Sequence, residues 1–339
     1  MATEKFIRAE AAKQTAFGTA ASANQFAVPF TGEYTDAQEE HSATWDRGTW
    51  TPTEIVAKVA DFVTFTTEGV AFFELLPVQL NAGFGHITVS GADPYIYDGV
   101  VSPTAVGTPR PYTWWFGSRE NIGGTGPAVK VQDAYLQELV LTGNINSKEV
   151  AQRATWFGLK ADDNSGAGYA MADAALPSPL GMLRTLLGAF DLKDAATTGG
   201  SFATMTNIDG YLLDWALTMR TGVNPAWRAD SNQQTYTGIQ FTEPEVIFTC
   251  NIVCDATRYA LVRTKFDART YQELMLTLNG DASRQVKWKL TGRWTDVPRH
   301  TGRAEGQMVL PVTFTARTPH TQGTTPHYFG WELDTKWSH

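Results

Sequence analysis

Cysteine is nearly missing from this chain: two residues in 339, Cys250 and Cys254. Four positions apart in a strand, their Cα atoms would lie roughly 13 Å from each other, beyond disulfide reach. No disulfide framework is expected, and the usage fits assembly in a reducing compartment. Long apolar runs are missing too. No stretch approaches the ~18 residues of a membrane-crossing helix, and the opening MATEKFIRAEAAKQTAFG has no uninterrupted apolar run, so no signal peptide is expected. Charge is scarce at 18%, and positive charge is scarcer still, with 27 Lys and Arg against 35 Asp and Glu and a net charge of −8. That balance excludes a protein that wraps nucleic-acid phosphates in basic side chains.

Catalytic signatures are absent as well. The six histidines form no HExxH or comparable metal spacing. His320 and His327 share the loop HTQGTTPH, where no carboxylate or cysteine stands beside them, so a solvated loop is the better reading than a metal site. Cys250-x3-Cys254 falls on the apolar side of a strand and reads as small buried hydrophobes. There is no GxSxG, no phosphate-binding GxxxxGK[ST] and no GxGxxG after a strand. The glycine-rich NIGGTG at 121–126 precedes a strand and lacks the helix dipole that would hold a phosphate. No cofactor, no metal and no enzymatic activity are expected.

Aromatic residues are plentiful: 11 Trp, 11 Tyr and 18 Phe, a composition that favours β-structure. EIVAKVADFVTFTT, HITVSG, YTWWFGSR, AVKVQDAYLQELVLTG and EVAQRATWFGLK read as strands in the first half. Between the first two, VAFFELLPVQLNAGFG takes helical spacing at Val70, Phe73, Pro77 and Leu80, and Pro77 predicts a short or kinked helix. In the second half PEVIFTCNIVC alternates most cleanly, with Val246, Phe248, Cys250, Ile252 and Cys254 on one side and Glu245, Thr249 and Asn251 on the other. DATRYALVRTKFD is helical, capped by Asp255. YLLDWALTM, YQELMLTLNG, RQVKWKLTGRW, GQMVLPVTFTAR and YFGWELDTKW complete the half as strands, Pro311 marking an edge or a bulge.

The chain also echoes itself: DAYLQELVLT at 133–142 and DGYLLDWALT at 209–218, with Glu138 answered by Asp214. The first copy follows its half's helix and the second precedes its own, so this is no in-frame duplication; chance, or two strands with equivalent roles at a junction, would both explain it. Paired carboxylates exist at Glu39-Glu40, Asp162-Asp163 and Glu138/Asp214, and a glycosidase needs two acids about 5–10 Å apart. The tryptophans are scattered along the strands, however, which suits core and interface packing better than a sugar cleft. In RQVKWKLTGRW, Lys287, Lys289 and Arg293 form a basic stripe too small for nucleic acid.

The order of parts resembles the tail tube (major tail) proteins of long-tailed, non-contractile bacteriophages, in particular those with two tube folds in one chain. The likeness runs from FFELLPVQLNAGFG through VQDAYLQELVLTGNINSKEVAQRATWFGLKA and YLLDWALTMRTGVNPAWRADSN to GQMVLPVTFTARTP and YFGWELDTKW. It implies a mainly β protein: an N-terminal arm at 1–24, a first tube domain at 25–160, a linker with a short helix (Leu183, Leu186, Leu187, Phe190) at 161–204 and a second tube domain at 205–339. Each domain would be a small β-sandwich or half-open barrel with one helix. Three chains would close a pseudo-six-fold ring of about 24 inner strands, roughly 48 Å across at the backbone. Stacked rings would form a conduit for double-stranded DNA in the virion tail, assembled in the host cytoplasm. The implied partners are further copies of the chain and the tape measure, distal tail and tail terminator proteins, with no membrane insertion. On this reading Glu245, Thr249 and Asn251, with Glu273, Thr277 and Asn279, face the lumen or a subunit seam, while Lys287, Lys289 and Arg293 lie at an inter-subunit or inter-ring contact. The alternatives are a carbohydrate-binding or glycosidase β-sandwich and a secretion-system tube protein, whose usual single fold fits this length poorly.

Overall fold

The computed structural model describes residues 2–6, 8–21, 26–45, 53–85, 87–92, 94–101, 107–117, 128–162, 169, 171, 174–178, 180–185, 188–194, 202, 205–208, 212–228, 235–280, 283–299, 302–304, 307–317 and 328–337. Its first part runs β1 (Ala2–Phe6), β2 (Arg8–Lys13), β3 (Phe26–Val28), β4 (Thr31–Trp45), β5 (Thr53–Val70), α1 (Leu76–Gly83), β6 (Thr88–Ser90), β7 (Tyr95–Val101), β8 (Tyr112–Gly117), β9 (Val129–Asn144), β10 (Val150–Gly158) and β11 (Ala161–Asp162). The second part runs β12 (Gly188–Asp194), β13 (Thr206–Asn207), β14 (Leu212–Arg220), β15 (Val223–Ala226), β16 (Gly238–Phe241), β17 (Glu245–Val253), α2 (Ala256–Asp267), β18 (Gln272–Asn279), β19 (Gln285–Asp296), β20 (Gly302–Ala304), β21 (Gln307–Ala316) and β22 (Phe329–Thr335). Strands dominate, as the composition predicts.

One long antiparallel layer has the order β4–β5–β10–β9–β14–β17–β21–β19. Two further layers branch from it. The first is β3–β2–β8–β9, with β11 on the other side of β9. The second is β13–β12–β18–β19–β22, extended by β7 and β6. β9 and β19 each belong to two layers and turn the corner between them. β9 does so at Asp133, whose φ is 53°. β19 does so at Gly292, where any Cβ would stand 2.1 Å from the Thr315 carbonyl oxygen.

These pairings make the two parts topological copies. β2-β3-β4-β5-α1-β8-β9-β10-β11 corresponds element by element to β12-β13-β14-β17-α2-β18-β19-β21-β22, with the same neighbours. The register agrees too. Tyr34 pairs with Phe65 and Phe65 with Trp156; Leu217 pairs with Phe248 and Phe248 with Phe314. The ladder from β9 to β10 slips at Thr155/Trp156, and the ladder from β19 to β21 slips at the matching Trp294/Asp296. A residual likeness survives in FVTFTTEGV of β5 and EVIFTCNIV of β17.

The repeat explains the echoed strands. β9 and β14 are not equivalent members of the two copies; they pair with each other where the copies join, antiparallel and centred on Leu141 opposite Leu217. At that join the Trp215 indole lies over Gly143, where a Cβ would be 2.4 Å from the ring. β7 of the first copy pairs with β22 of the second, a second bond between the copies. A third is the fully buried pair of Arg284 and Glu74, 2.5 Å apart, with the Gly181 N–H donating to the other Glu74 oxygen at 2.7 Å. One hydrophobic core, rich in stacked rings such as Phe65–Trp156 and Trp288–Phe329, runs through both copies.

Several expectations are corrected. The first 24 residues are not simply an arm: β1 lies on β4, and β2, buried along most of its length, is the first copy's counterpart of β12. Within 161–204, Phe190 belongs to strand β12, which pairs with β18 along its whole length, so Phe190 is not part of a docking helix; Leu186 and Leu187 lie outside the described residues. The first helix starts at Leu76, later than Val70 and Phe73 suggest, and Pro77 sits in its first turn, where no N–H partner is lost. α2 is capped as expected, the Asp255 carboxylate accepting from the Arg258 N–H at 2.8 Å. Pro311 lies on β21 between the stretches paired with β19 and β20, a gap in which its missing N–H costs nothing on that side.

Candidate functional site

The long layer has two unlike faces. One is buried in the core through Phe65, Trp156, Leu139, Leu141, Trp215, Leu217, Phe248 and Phe314. The other carries Thr31, Thr35, Thr64, Thr66, Thr142, Thr155, Thr218, Thr249 and Thr313, none of them buried. Threonine supplies the branching that strands favour while giving the surface little apolar area. Glu33, Glu68, Glu138, Asp214, Glu245 and Asp296 share this face with Arg153, Arg220 and Arg293, so acids outnumber bases.

Arg220 bridges the join. Its guanidinium donates to Glu138 of β9 at 2.9 Å and to Glu245 of β17 at 2.7 Å, tying three strands from both copies. Hydrogen bonding to Glu138, then to Glu245, raises its pKa further. Asn251 donates to both Asp214 oxygens, at 2.8 and 3.0 Å, and Arg153 pairs with Glu68 at 3.0 Å. A shallow trough of about 750 Å³ runs across the face, with Thr142, Asn144, Asp214, Thr249, Asn251 and Asp296 among its lining. Most charges are paired along the sheet, which leaves a hydroxyl-rich, weakly acidic floor without a focused binding point.

The six residues expected at a lumen or seam separate into two groups. Glu245, Thr249 and Asn251 lie on the open face. Glu273, Thr277 and Asn279 lie on β18, in a branching layer: Glu273 is fully buried and accepts from the Phe202 N–H at 3.2 Å, and Thr277 is buried as well. Alternation alone could not tell a face that meets water from one covered by another segment. The basic stripe also divides. Lys287 and Lys289 both pair with Glu332 of β22 in the same chain, Lys289 at 2.9 Å. Burial pushes the Glu332 carboxyl up, and the two ammonium groups outweigh it and hold it below the usual range. Arg293 instead follows the open face, opposite Thr315.

Sequence reasoning missed Glu33, Glu68, Arg153 and Arg220. The shared FT of β5 and β17 was the available signal that these strands present matching faces. Among the described residues no group of three or more metal-ligating side chains occurs, and no helix is long and apolar enough to cross a membrane. His320, His327, NIGGTG and Asp163 lie outside the described residues. Cys250 is buried, with its thiol pushed well up by burial, while Cys254 is only partly covered. Trp114, Trp156, Trp288 and Trp331 are fully buried, and Trp215 and Trp294 nearly so. No protein-family model and no curated protein matches the chain.

Proposed function

We propose that the chain is a self-assembling structural protein of the tail-tube kind, each copy of the repeat acting as one tube fold of the β-sandwich or half-barrel type. The observation that carries this reading is the continuous eight-stranded layer: four strands from each copy, joined edge to edge at β9 and β14, apolar on one face and threonine-rich and acidic on the other. Three chains would supply about 24 strands, enough for a barrel roughly 48 Å across at the backbone. The open face would line its channel. A floor of hydroxyls with a slight excess of carboxylates repels phosphate and offers no point of capture, which suits a duplex that must slide. The chain would work in the tail of a long-tailed bacteriophage virion, with DNA as transient cargo.

The deciding experiment is negative-stain electron microscopy of concentrated protein beside light-scattering mass. Hollow stacked rings and a three-chain mass for a free ring are expected. A protein that stays a single chain at every concentration, and binds immobilised glycans, would overturn the reading in favour of a carbohydrate-binding one.

A further inference from the structure

If each copy presents the same two edges, the join inside the chain is a template for contacts between chains. Inside, β9 lies on β14. The first copy's counterpart of β14 is β4, and the second copy's counterpart of β9 is β19 with its continuation β20. The outer sides of Arg293–Asp296 and Gly302–Ala304 carry no strand partner among the described residues. The matching edge of β4 does carry one, and it is β1. Ala2 to Phe6 pair antiparallel with Asp36 to Gly32.

The register of β1 matches that of β9. Phe6 faces Gly32 as Gly143 faces Trp215, Glu4 faces Tyr34 as Leu141 faces Leu217, and Ala2 faces Asp36 as Leu139 faces Met219. β1 therefore occupies on β4 the place that β9 occupies on β14. It is a poor substitute: five residues, ATEKF, paired over Ala2–Phe6, where β9, a 16-residue strand, pairs with β14 over Glu138–Asn144 at the internal join. A short, charged strand on an exposed edge is a recognised way to keep sheets from adding to one another.

We infer that β1 is a removable cover on the assembly edge, displaced when β19–β20 of a second copy of this chain pairs with β4. The inference rests on the tube reading and adds a control point to it: the single chain keeps its own edge occupied, and growth requires strand exchange. This would hold subunits apart until a growing end supplies a better-matched strand.

The test locks the cover. Thr3 and Thr35 face each other in the ladder, and directly opposed residues of an antiparallel pair lie ~4.5–5.5 Å apart, within disulfide range. Thr3→Cys with Thr35→Cys, in a Cys254→Ser background, is oxidised and followed by sedimentation velocity and electron microscopy beside the unlocked chain and a deletion of residues 2–6. The locked chain is expected to remain single at concentrations where the unlocked one assembles, and to assemble after reduction. The deletion is expected to lower the onset concentration about tenfold. Assembly of the locked chain at the normal concentration, or failure of the disulfide to form, would overturn the inference and leave the tube reading standing. Failure of every form to associate, the reduced chain and the deletion included, would overturn both.

Discussion

The two helices occupy the same place in the two copies and have opposite surroundings. α1 is buried along nearly its whole length, whereas α2 buries only Val262. The second copy makes the difference. Phe84, just past α1, packs its ring at a tilt against Phe329 and Trp331, Gly280 packs on Phe73, and Arg284 meets Glu74. Among the described residues nothing equivalent covers α2, which carries the half-buried Arg258, Arg263 and Lys265 and holds its end through Arg263, bonded to Asp267 at 2.7 Å and to the Val297 carbonyl at 2.6 Å. An element's polarity here follows from which neighbour belongs to the same chain. In the proposed ring, the neighbour of α2 would be another chain, for which a polar helix could wait in water.

The comparison can be broken most strongly at the ion pairs. Arg284→Leu strands the buried Glu74 carboxylate and is expected to cost about 3–5 kcal/mol. Arg263→Leu removes a pair with the solvent-exposed Asp267 carboxylate together with the hydrogen bond to the Val297 carbonyl, and is expected to cost only about 1–2 kcal/mol. Urea denaturation of both variants checks this, and comparable losses would contradict the asymmetry between the helices.

The corner of β9 gives the next effect. Asp133 stands where β19 has Thr291, and both are fully buried. Burial raises the Asp133 carboxyl to about 6, against the hydrogen bond from the Gly18 N–H, which lowers it. The folded state therefore binds the proton more tightly than the unfolded state does. Stability from this group is present below the ordinary value of 3.8 and is lost as pH rises to about 6. The loss amounts to roughly 2–3 kcal/mol. Asp133→Asn tolerates the positive φ and is expected to flatten that part of the profile, read as the difference between the two proteins' unfolding free energies from pH 4 to 7.

Smaller still is a swap between copies. Gln79 of α1 donates to Gln152 of β10 at 2.8 Å inside the core, where the second copy has buried Leu310 in the place of Gln152 and α2 buries Val262. Gln79→Val alone leaves Gln152 without its partner and is expected to cost about 1–2 kcal/mol. Adding Gln152→Leu should recover most of that loss, a coupling that a double-mutant cycle measures. The smallest effect falls on the open face: Arg220→Ala is expected to change stability by less than about 1 kcal/mol, and by less again in high salt, because its pairs with Glu138 and Glu245 are solvent-exposed.

Much of the fold was legible where a strand met the core on one face and water on the other. β17 is the clearest case, and its alternation put Glu245, Thr249 and Asn251 opposite the buried Val246, Phe248, Cys250 and Ile252. Legibility failed where tertiary pairing overrode local pattern. RAEAAK of β2 is short and alanine-rich, and Phe190 of β12 falls at helical spacing from Leu183; each becomes a strand because β8 or β18 offers an edge to pair with. The polar side of β18 failed for another reason. Its alternation resembles that of β17, but a chain segment near Phe202 covers Glu273. The expectation of two like domains comes from the resemblance and the shared layout of strands and one helix per half; the letters alone show little, because the two copies keep register and bulge position while sharing few of them.

The hairpin of β6 and β7 belongs to the first copy alone and is fastened along β22 of the second. With the β9–β14 pairing it makes two attachments in different layers, so the copies cannot hinge about either one. The angle between them is therefore a property of the single polypeptide. A ring of the proposed kind would inherit its curvature from that angle, and its bore would be set before the first subunits meet.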